Sequence, residues 1–182
     1  MEVINWVLDE IALDHGSRDH IIEDIRATIS ELESFINNNH LLNLDESEPL
    51  MVRITPEYQR GVAIASLDAP GPMEKKLNTF YNVSPIPNEW SDEQVESYLR
   101  EYNNISIKIL SIHEALPGHY VQLYYSKNNF SKIRSAFSSG VMIEGWAHYC
   151  EGMMIDAGFG NGDPRYKLVQ LKWALRGIIN AI

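Results

Sequence analysis

Two histidines and two glutamates in the second half of the sequence have the types and the spacing to hold a metal ion. His113 and Glu114 begin the run His-Glu-Ala-Leu-Pro-Gly-His, which ends at His119, and Glu144 lies downstream. A hydrolytic zinc site takes three ligands from the protein and leaves one position for water. We therefore predict that His113, His119 and Glu144 bind Zn²⁺ and that Glu114 is the catalytic base, which accepts a proton from that water.

The spacing of the two histidines requires a distorted helix. In the common His-Glu-x-x-His pattern the histidines are four residues apart and face one metal. His113 and His119 are six residues apart, which separates their side chains by about 240° around a regular helix. Pro117 has no N–H for the carbonyl of His113, and Gly118 tolerates unusual dihedral angles. We therefore predict a bulge or kink at Pro117-Gly118 that turns His119 back towards His113.

The third carboxylate, Glu144, lies in a segment that is otherwise largely apolar. The sequence from 141 to 151 reads Val-Met-Ile-Glu-Gly-Trp-Ala-His-Tyr-Cys-Glu. A lone carboxylate buried there would be costly unless it were paired or bound to metal, which favours Glu144 as the ligand. His148 and Glu151 follow four and seven residues later on the same helical face. Each is therefore either a partner that orients a ligand or a rival ligand.

The other candidates and the simpler alternatives stay open. Tyr149 and Tyr120 have hydroxyls that could donate to a developing oxyanion, although ordinary packing is the commoner role for a tyrosine. Trp146 has the character of a core residue. Two histidines within seven residues also occur by chance, as hydrogen-bonded structural groups.

The pattern of apolar residues predicts a mainly α protein with a small β-sheet (α+β). Residues 1–48 read as helical because Ile21, Ile25, Ile29, Leu32 and Ile36 recur at helical spacing. Residues 49–90 contain short strand-like runs at 51–54, 62–65 and 77–81, separated by proline-rich turns. Residues 91–182 read as helices that carry the candidate metal ligands. We expect one domain over residues 1–182.

Local signals place two of the later helix starts. Ser91 and Gln94 have the spacing of a capping box, and the helical pattern after them runs on towards His113. A further helix is expected over about residues 141–157. Asp163-Pro164 is typical of another helix start, since aspartate caps and proline suits the first helical position.

Composition and charge exclude several classes of function. The net charge of −10 over 182 residues would repel a phosphate backbone, so no nucleic acid is expected as a partner. No apolar run reaches the roughly 20 residues of a membrane span. The N-terminus lacks the features of a signal peptide and there is one cysteine, Cys150. These features predict a cytoplasmic protein that acts on a peptide or another small molecule.

The last helix predicts that the sequence is a piece of a longer protein. Its pattern is still apolar at Trp173, Leu175, Ile178 and Ile179, and no glycine, asparagine or polar tail closes it before Ile182. Such an apolar face is also a candidate surface for self-association.

The sequence resembles the family catalogued as domain of unknown function 885, which is grouped with the zincin-like metallopeptidases. The resemblance rests on the run 113–120 with Gln122, and on Glu-Gly-Trp-Ala at 144–147 with Tyr149 and Glu151. Weaker support comes from 60–61 through 68–72 and from Ser84-Pro85 before Trp90, so these pieces span about residues 60–152.

The resemblance implies a site, a fold and an incomplete chain. It implies His113, His119 and Glu144 as zinc ligands, Glu114 as base, and a zincin-like helical core with a small sheet beside the active-site helix. Members are several hundred residues long, so this chain resembles an incomplete core. They carry an aliphatic residue where this sequence has His148.

Three functions compete at this point. The first is a zinc metallopeptidase that hydrolyses peptide or amide bonds. The second is a zinc hydrolase of non-peptide amides or esters. The third is a catalytically silent, metal-bound or helical scaffold used for binding.

Overall fold

Helices form most of this protein, together with one small sheet. The computed structural model describes residues 2–44, 49–61, 64–74 and 77–180. The helices are α1 (Glu2–Ala12), α2 (Ile21–Asn38), α3 (Asp92–Glu101), α4 (Asn104–Glu114), α5 (His119–Lys127), α6 (Lys132–Ala136), α7 (Gly140–Asp156) and α8 (Pro164–Asn180). The strands are β1 (Leu50–Ile54), β2 (Ala65–Asp68) and β3 (Thr79–Val83), with a 3-10 turn at Glu57–Gln59. The predicted α+β class is confirmed.

The sheet is mixed, with strand order β1-β3-β2. β1 pairs with β3 in parallel, from Leu50 opposite Thr79, and β2 pairs with β3 in antiparallel register, with Ala65 opposite Val83. The predicted run at 51–54 lies in β1, and the run at 77–81 overlaps β3. Of the run at 62–65, residues 62 and 63 lie outside the described residues, and Ala65 begins β2.

The core lies between the sheet and the long helices. The predicted stripe on α2 is buried along its whole length, from Ile21 to Ile36. It packs with Tyr81 and Val83 of β3 and with residues of α4, α5 and α7 in one apolar cluster. α4 is the central helix, because its residues from Ile105 to Ile112 are almost all buried and it contacts α2, α7, α8 and β2.

The segment between Ser91 and His113 contains two helices, where the sequence predicted one continuous pattern. The capping box at Ser91 and Gln94 is present and starts α3. α3 ends before Tyr102, and the side chain of Asn103 accepts a hydrogen bond from the backbone of Ser106 to start α4. Asn103 caps the start of α4 directly after α3 has ended, and the apolar pattern continues across this boundary. Periodicity alone therefore does not reveal it.

The predicted break follows α4, and a close backbone approach allows it. The N–H of Gly118 bonds to the carbonyl of Ile112, and α5 then starts at His119. A Cβ at position 118 would overlap the carbonyl oxygens of Ile112 and His113. The φ of Gly118 is −67°, which is not a left-handed conformation, so the close approach to the two carbonyl oxygens is what requires glycine at this position.

The last two helices begin where the sequence indicated. α7 covers 140–156, and α8 starts at Pro164, where the carboxylate of Asp163 accepts from the backbone N–H of Arg165. Leu175, Ile178 and Ile179 on α8 are exposed, and self-association through this helix stays a prediction. Within the described part of the chain, no helix has both the length and the apolar character needed to cross a membrane.

We predict that Gly118→Ala lowers the free energy of unfolding by about 2–3 kcal/mol, because the added methyl overlaps backbone that cannot move aside. The matched control is Gly152→Ala, in the interior of α7, where a Cβ meets nothing within 4 Å. That substitution should raise stability by about 0.5–1 kcal/mol through helix propensity. Urea unfolding followed by circular dichroism measures both; equal effects of the two substitutions would refute the close approach.

We predict that Cys150 is inert to alkylation in the folded protein. The thiol is fully buried beside the carbonyl of Pro117, at 3.6 Å. Burial, with a smaller contribution from Glu151, raises its pKa to about 12, so about one molecule in ten thousand carries the reactive thiolate at pH 8. Iodoacetamide labelling followed by mass spectrometry should be complete in urea and negligible in buffer, and rapid labelling in buffer would contradict this burial.

Candidate metal centre

The break after α4 brings the rings of His113 and His119 together. His113 lies on the last turn of α4 and His119 is the first residue of α5. Their ring centroids are 4.7 Å apart and the rings are nearly perpendicular. Both side chains are largely buried. Two imidazoles that a regular helix would point apart therefore meet at one place.

Glu144 reaches both rings from α7. Its carboxylate oxygens lie 3.6 Å from Nε2 of His113 and 3.8 Å from Nε2 of His119. Its side chain is 62% exposed, which corrects the prediction of a buried carboxylate. Glu144 lies at the mouth of the cluster, on a face of α7 where Val141 is also exposed, so the apolar sequence around it does not mean burial.

Glu114 completes the group from the side of the sheet. The ligand atoms of His113, Glu114 and His119 lie within 4.8 Å of one another. Burial raises the pKa of Glu114 to about 7; His113 opposes this rise, Glu144 adds to it, and a hydrogen bond from the backbone of Leu67 opposes it. The site thus has two carboxylates with different surroundings, one half-buried against β2 and one exposed on α7.

A third carboxylate, Glu151, lies behind the histidines and is 2% exposed. Its Oε1 is 2.7 Å from Nδ1 of His113 and 3.1 Å from Nδ1 of His148. The groups of His113, His148 and Glu151 also lie within 4.8 Å of one another. Glu151 shields this second cluster from solvent, whereas the group around His113 and His119 is exposed to solvent at Glu144. Glu151 thus contacts Nδ1 of His113, and the two roles left open for it, an orienting partner or a rival ligand, stay predictions.

The charges around the histidines affect them differently. Burial disfavours the charged form of His113, but the hydrogen bond to Glu151 and the charges of Glu151, Glu114 and Glu144 outweigh it and raise the pKa of His113. Burial and the neighbouring His113 lower the pKa of His119, although Glu144 opposes them. A neutral imidazole is the form that binds a metal, so the environment of His119 suits a ligand.

The two candidate tyrosines lie in different surroundings. Tyr120 is buried in the main apolar cluster, and Tyr149 is exposed with its ring 5.8 Å from that of Trp146. Trp146, expected to be a core residue, is half-buried and donates from Nε1 to the carbonyl of Pro117 at 3.0 Å. It thus anchors the break between α4 and α5.

Two contributors to the site were missed by the sequence analysis. Leu67 donates its backbone N–H to the carboxylate of Glu114. A pattern of side chains does not reveal such a contact, because it depends on where β2 lies in the fold. Trp146 could have been suspected, since an indole N–H near a proline-containing bend has a natural acceptor in the carbonyls that such a bend leaves unpaired.

Comparison with known proteins identifies two solved structures of similar fold. The structure of a putative lipoprotein of unknown function from Shewanella oneidensis matches with a TM-score of 0.83 and 46% identity, over 94% of this chain and 30% of that chain. The crystal structure of the putative lipoprotein from Colwellia psychrerythraea matches with a TM-score of 0.68 and 20% identity, over 96% of this chain and 32% of that chain. At 20% identity the likeness shows the fold alone. No curated protein matches.

These findings correct one prediction and establish the family. The chain spans about a third of the length of the two solved proteins. Both are described as putative lipoproteins, so the predicted cytoplasmic location was wrong. The model of the bacterial proteins of unknown function called DUF885 matches residues 3–182, and the chain belongs to that family.

Proposed function

We propose that this chain carries the metal centre of a zinc-dependent hydrolase, most simply a peptidase. His113, His119 and Glu144 are the ligands in this proposal, and Glu114 is the general base. The observation that carries it is the convergence of two imidazole Nε2 atoms and one carboxylate, from three different helices, at 3.6 and 3.8 Å.

The donor set and its spacing fit zinc. Tetrahedral zinc with bonds of about 2.0–2.1 Å holds its ligand atoms about 3.4 Å apart. Oε2 of Glu144 lies 3.6 Å from Nε2 of His113 and its other oxygen, Oε1, lies 3.8 Å from Nε2 of His119, so each contact is within a few tenths of an ångström of that value. Two imidazoles with one carboxylate form a known donor set for catalytic zinc, and the exposure of Glu144 leaves the centre open for a water and a substrate.

Glu144 and Glu114 compete for the third ligand position, and their contacts favour Glu144 as ligand. Glu144 contacts both Nε2 atoms. Glu114 follows His113 directly and accepts a hydrogen bond from Leu67, which holds its carboxylate beside the cluster. A base must lie next to the reacting water without being tied to the metal, and Glu114 meets this requirement.

The chemistry follows from these positions. Zinc in such a centre lowers the pKa of a bound water to about 7. With a metal bound there, Glu114 would accept a proton from the attacking water and pass it to the leaving group, because its carboxylate lies beside the ligand atoms of the two histidines. Glu151 holds the ring of His113 through Nδ1 and leaves Nε2 for the metal.

Two other functions are compatible with the same site, and the experiments below distinguish them from a peptidase. The same centre would also hydrolyse small non-peptide amides or esters, since the attack on a carbonyl is common to all of them. A silent scaffold would keep the same metal ligands, since metal binding does not by itself require turnover. Metal binding and turnover are therefore tested separately.

We predict that the purified chain binds about one Zn²⁺ and that His113→Ala and His119→Ala each weaken binding by more than about 100-fold, beyond the effect of losing an orienting group. Glu144→Ala should also weaken binding. The control is His20→Ala, since the side chain of His20 is exposed and its ring is hydrogen-bonded to Ser17. Zinc content by mass spectrometry and chelator competition gives the affinities. Failure of the wild-type chain to take up zinc would end the proposal.

We predict that Glu114→Gln keeps zinc and lowers turnover by at least about 100-fold, as expected for a lost general base. The assay uses a peptide library with chromogenic amides and esters alongside, so the substrate class is read from the same experiment. Glu10→Gln, at an exposed position of α1, should leave turnover unchanged. A zinc-loaded wild-type chain that hydrolyses none of these substrates would favour the scaffold.

A further inference from the structure

We infer that His148 is a positioning residue for the metal centre, which acts on His113 through the carboxylate of Glu151. This inference rests on the proposed zinc site for its consequence, although the contacts themselves are independent of any metal. It assigns a task to the one histidine of the cluster that the proposed mechanism does not use.

Glu151 offers one oxygen to two imidazoles. Its Oε1 lies 2.7 Å from Nδ1 of His113 and 3.1 Å from Nδ1 of His148, both within hydrogen-bonding distance. Its Oε2 is buried and has no hydrogen-bond partner among the described residues. The orientation of this buried carboxylate is therefore set by two contacts at a single atom, and His148 supplies one of them.

The shared oxygen fixes which nitrogen carries the proton. An ionised carboxylate only accepts, so each imidazole must present an N–H to it. In its neutral form His113 then carries its proton on Nδ1, and its Nε2 keeps a lone pair on the side where Glu144 and His119 lie. A metal ligand needs that tautomer.

The surroundings of His148 hold its ring in place. It lies 5.0 Å from the ring of His113, between centroids, and it is about half exposed. On its other side is Gly177 of α8, where a Cβ would stand 3.6 Å from Nε2 of His148, an ordinary van der Waals contact. His148 thus lies beside the ring of His113 with its Nδ1 directed at Glu151, and α8 passes close to its other edge.

Loss of His148 would leave Glu151 with one anchor. The carboxylate could then rotate about its remaining contact to His113, and the ring of His113 would lose its fixed orientation. Removal of an orienting partner of a metal ligand lowers metal affinity by about 10- to 100-fold. His148 acts one step further from the metal, so an effect near about tenfold is expected.

The test compares two substitutions of similar size. His148→Asn places an amide N–H close to the position of Nδ1, whereas His148→Leu offers no donor. Zinc affinity by chelator competition should fall about tenfold in the leucine variant and return towards the wild-type value in the asparagine variant. In zinc-free protein, at a pH high enough for His113 to be neutral, the ¹⁵N shifts of its ring should report a proton on Nδ1 in the wild type and asparagine variant, and mixed tautomers in the leucine variant.

The outcomes separate this inference from the proposed function. Unchanged zinc affinity and an unchanged His113 ring in His148→Leu would overturn it, as would an asparagine variant as defective as the leucine one. If the wild type binds no zinc, the proposed function fails, and the ¹⁵N measurement still decides the role of His148. His148→Ala replaces the leucine variant if that one does not fold. His20→Leu, at an exposed site, should change neither measurement.

Discussion

The close approach of Gly118 to the end of α4 is the contact on which the site depends. Only a residue without a Cβ can lie against the carbonyls of Ile112 and His113. That approach ends α4 early enough for α5 to start at His119, and it presents the carbonyl of Pro117 to Trp146 of α7. One steric requirement therefore sets both the meeting of the two histidines and the packing of α7 beside them.

The second constraint is the burial of Glu151. A carboxylate with 2% exposure is costly unless charged or polar partners replace water. Here the partners are imidazoles, one of them the candidate ligand His113. The hydrogen bond between Glu151 and His113 has two effects: it offsets the cost of burying the carboxylate, and it fixes the orientation of the His113 ring. Since α7 carries Glu144, His148 and Glu151 together, its packing against α4 and α5 assembles the whole centre.

Features set by neighbouring residues could be read from the sequence, and features set by packing could not. The stripe from Ile21 to Ile36, the capping box at Ser91 and the helix start at Pro164 depend on local spacing and are confirmed. The division at Asn103 was missed because the apolar pattern continues across it. The sheet order and the contact from Leu67 to Glu114 depend on tertiary placement, which periodicity does not report.

Glu144 differs in its exposure from the other residues of the candidate metal centre. An apolar sequence suggested a buried ligand, yet Glu144 is exposed, whereas the other three groups are buried or half-buried. His113 is fixed by Glu151, His119 lies at the start of a helix against the core, and Glu114 is bonded by β2. The ordering that metal binding requires therefore falls mainly on one exposed side chain. The proposed zinc centre would therefore be largely preorganised, with Glu144 as its adaptable ligand on the side where a substrate would enter.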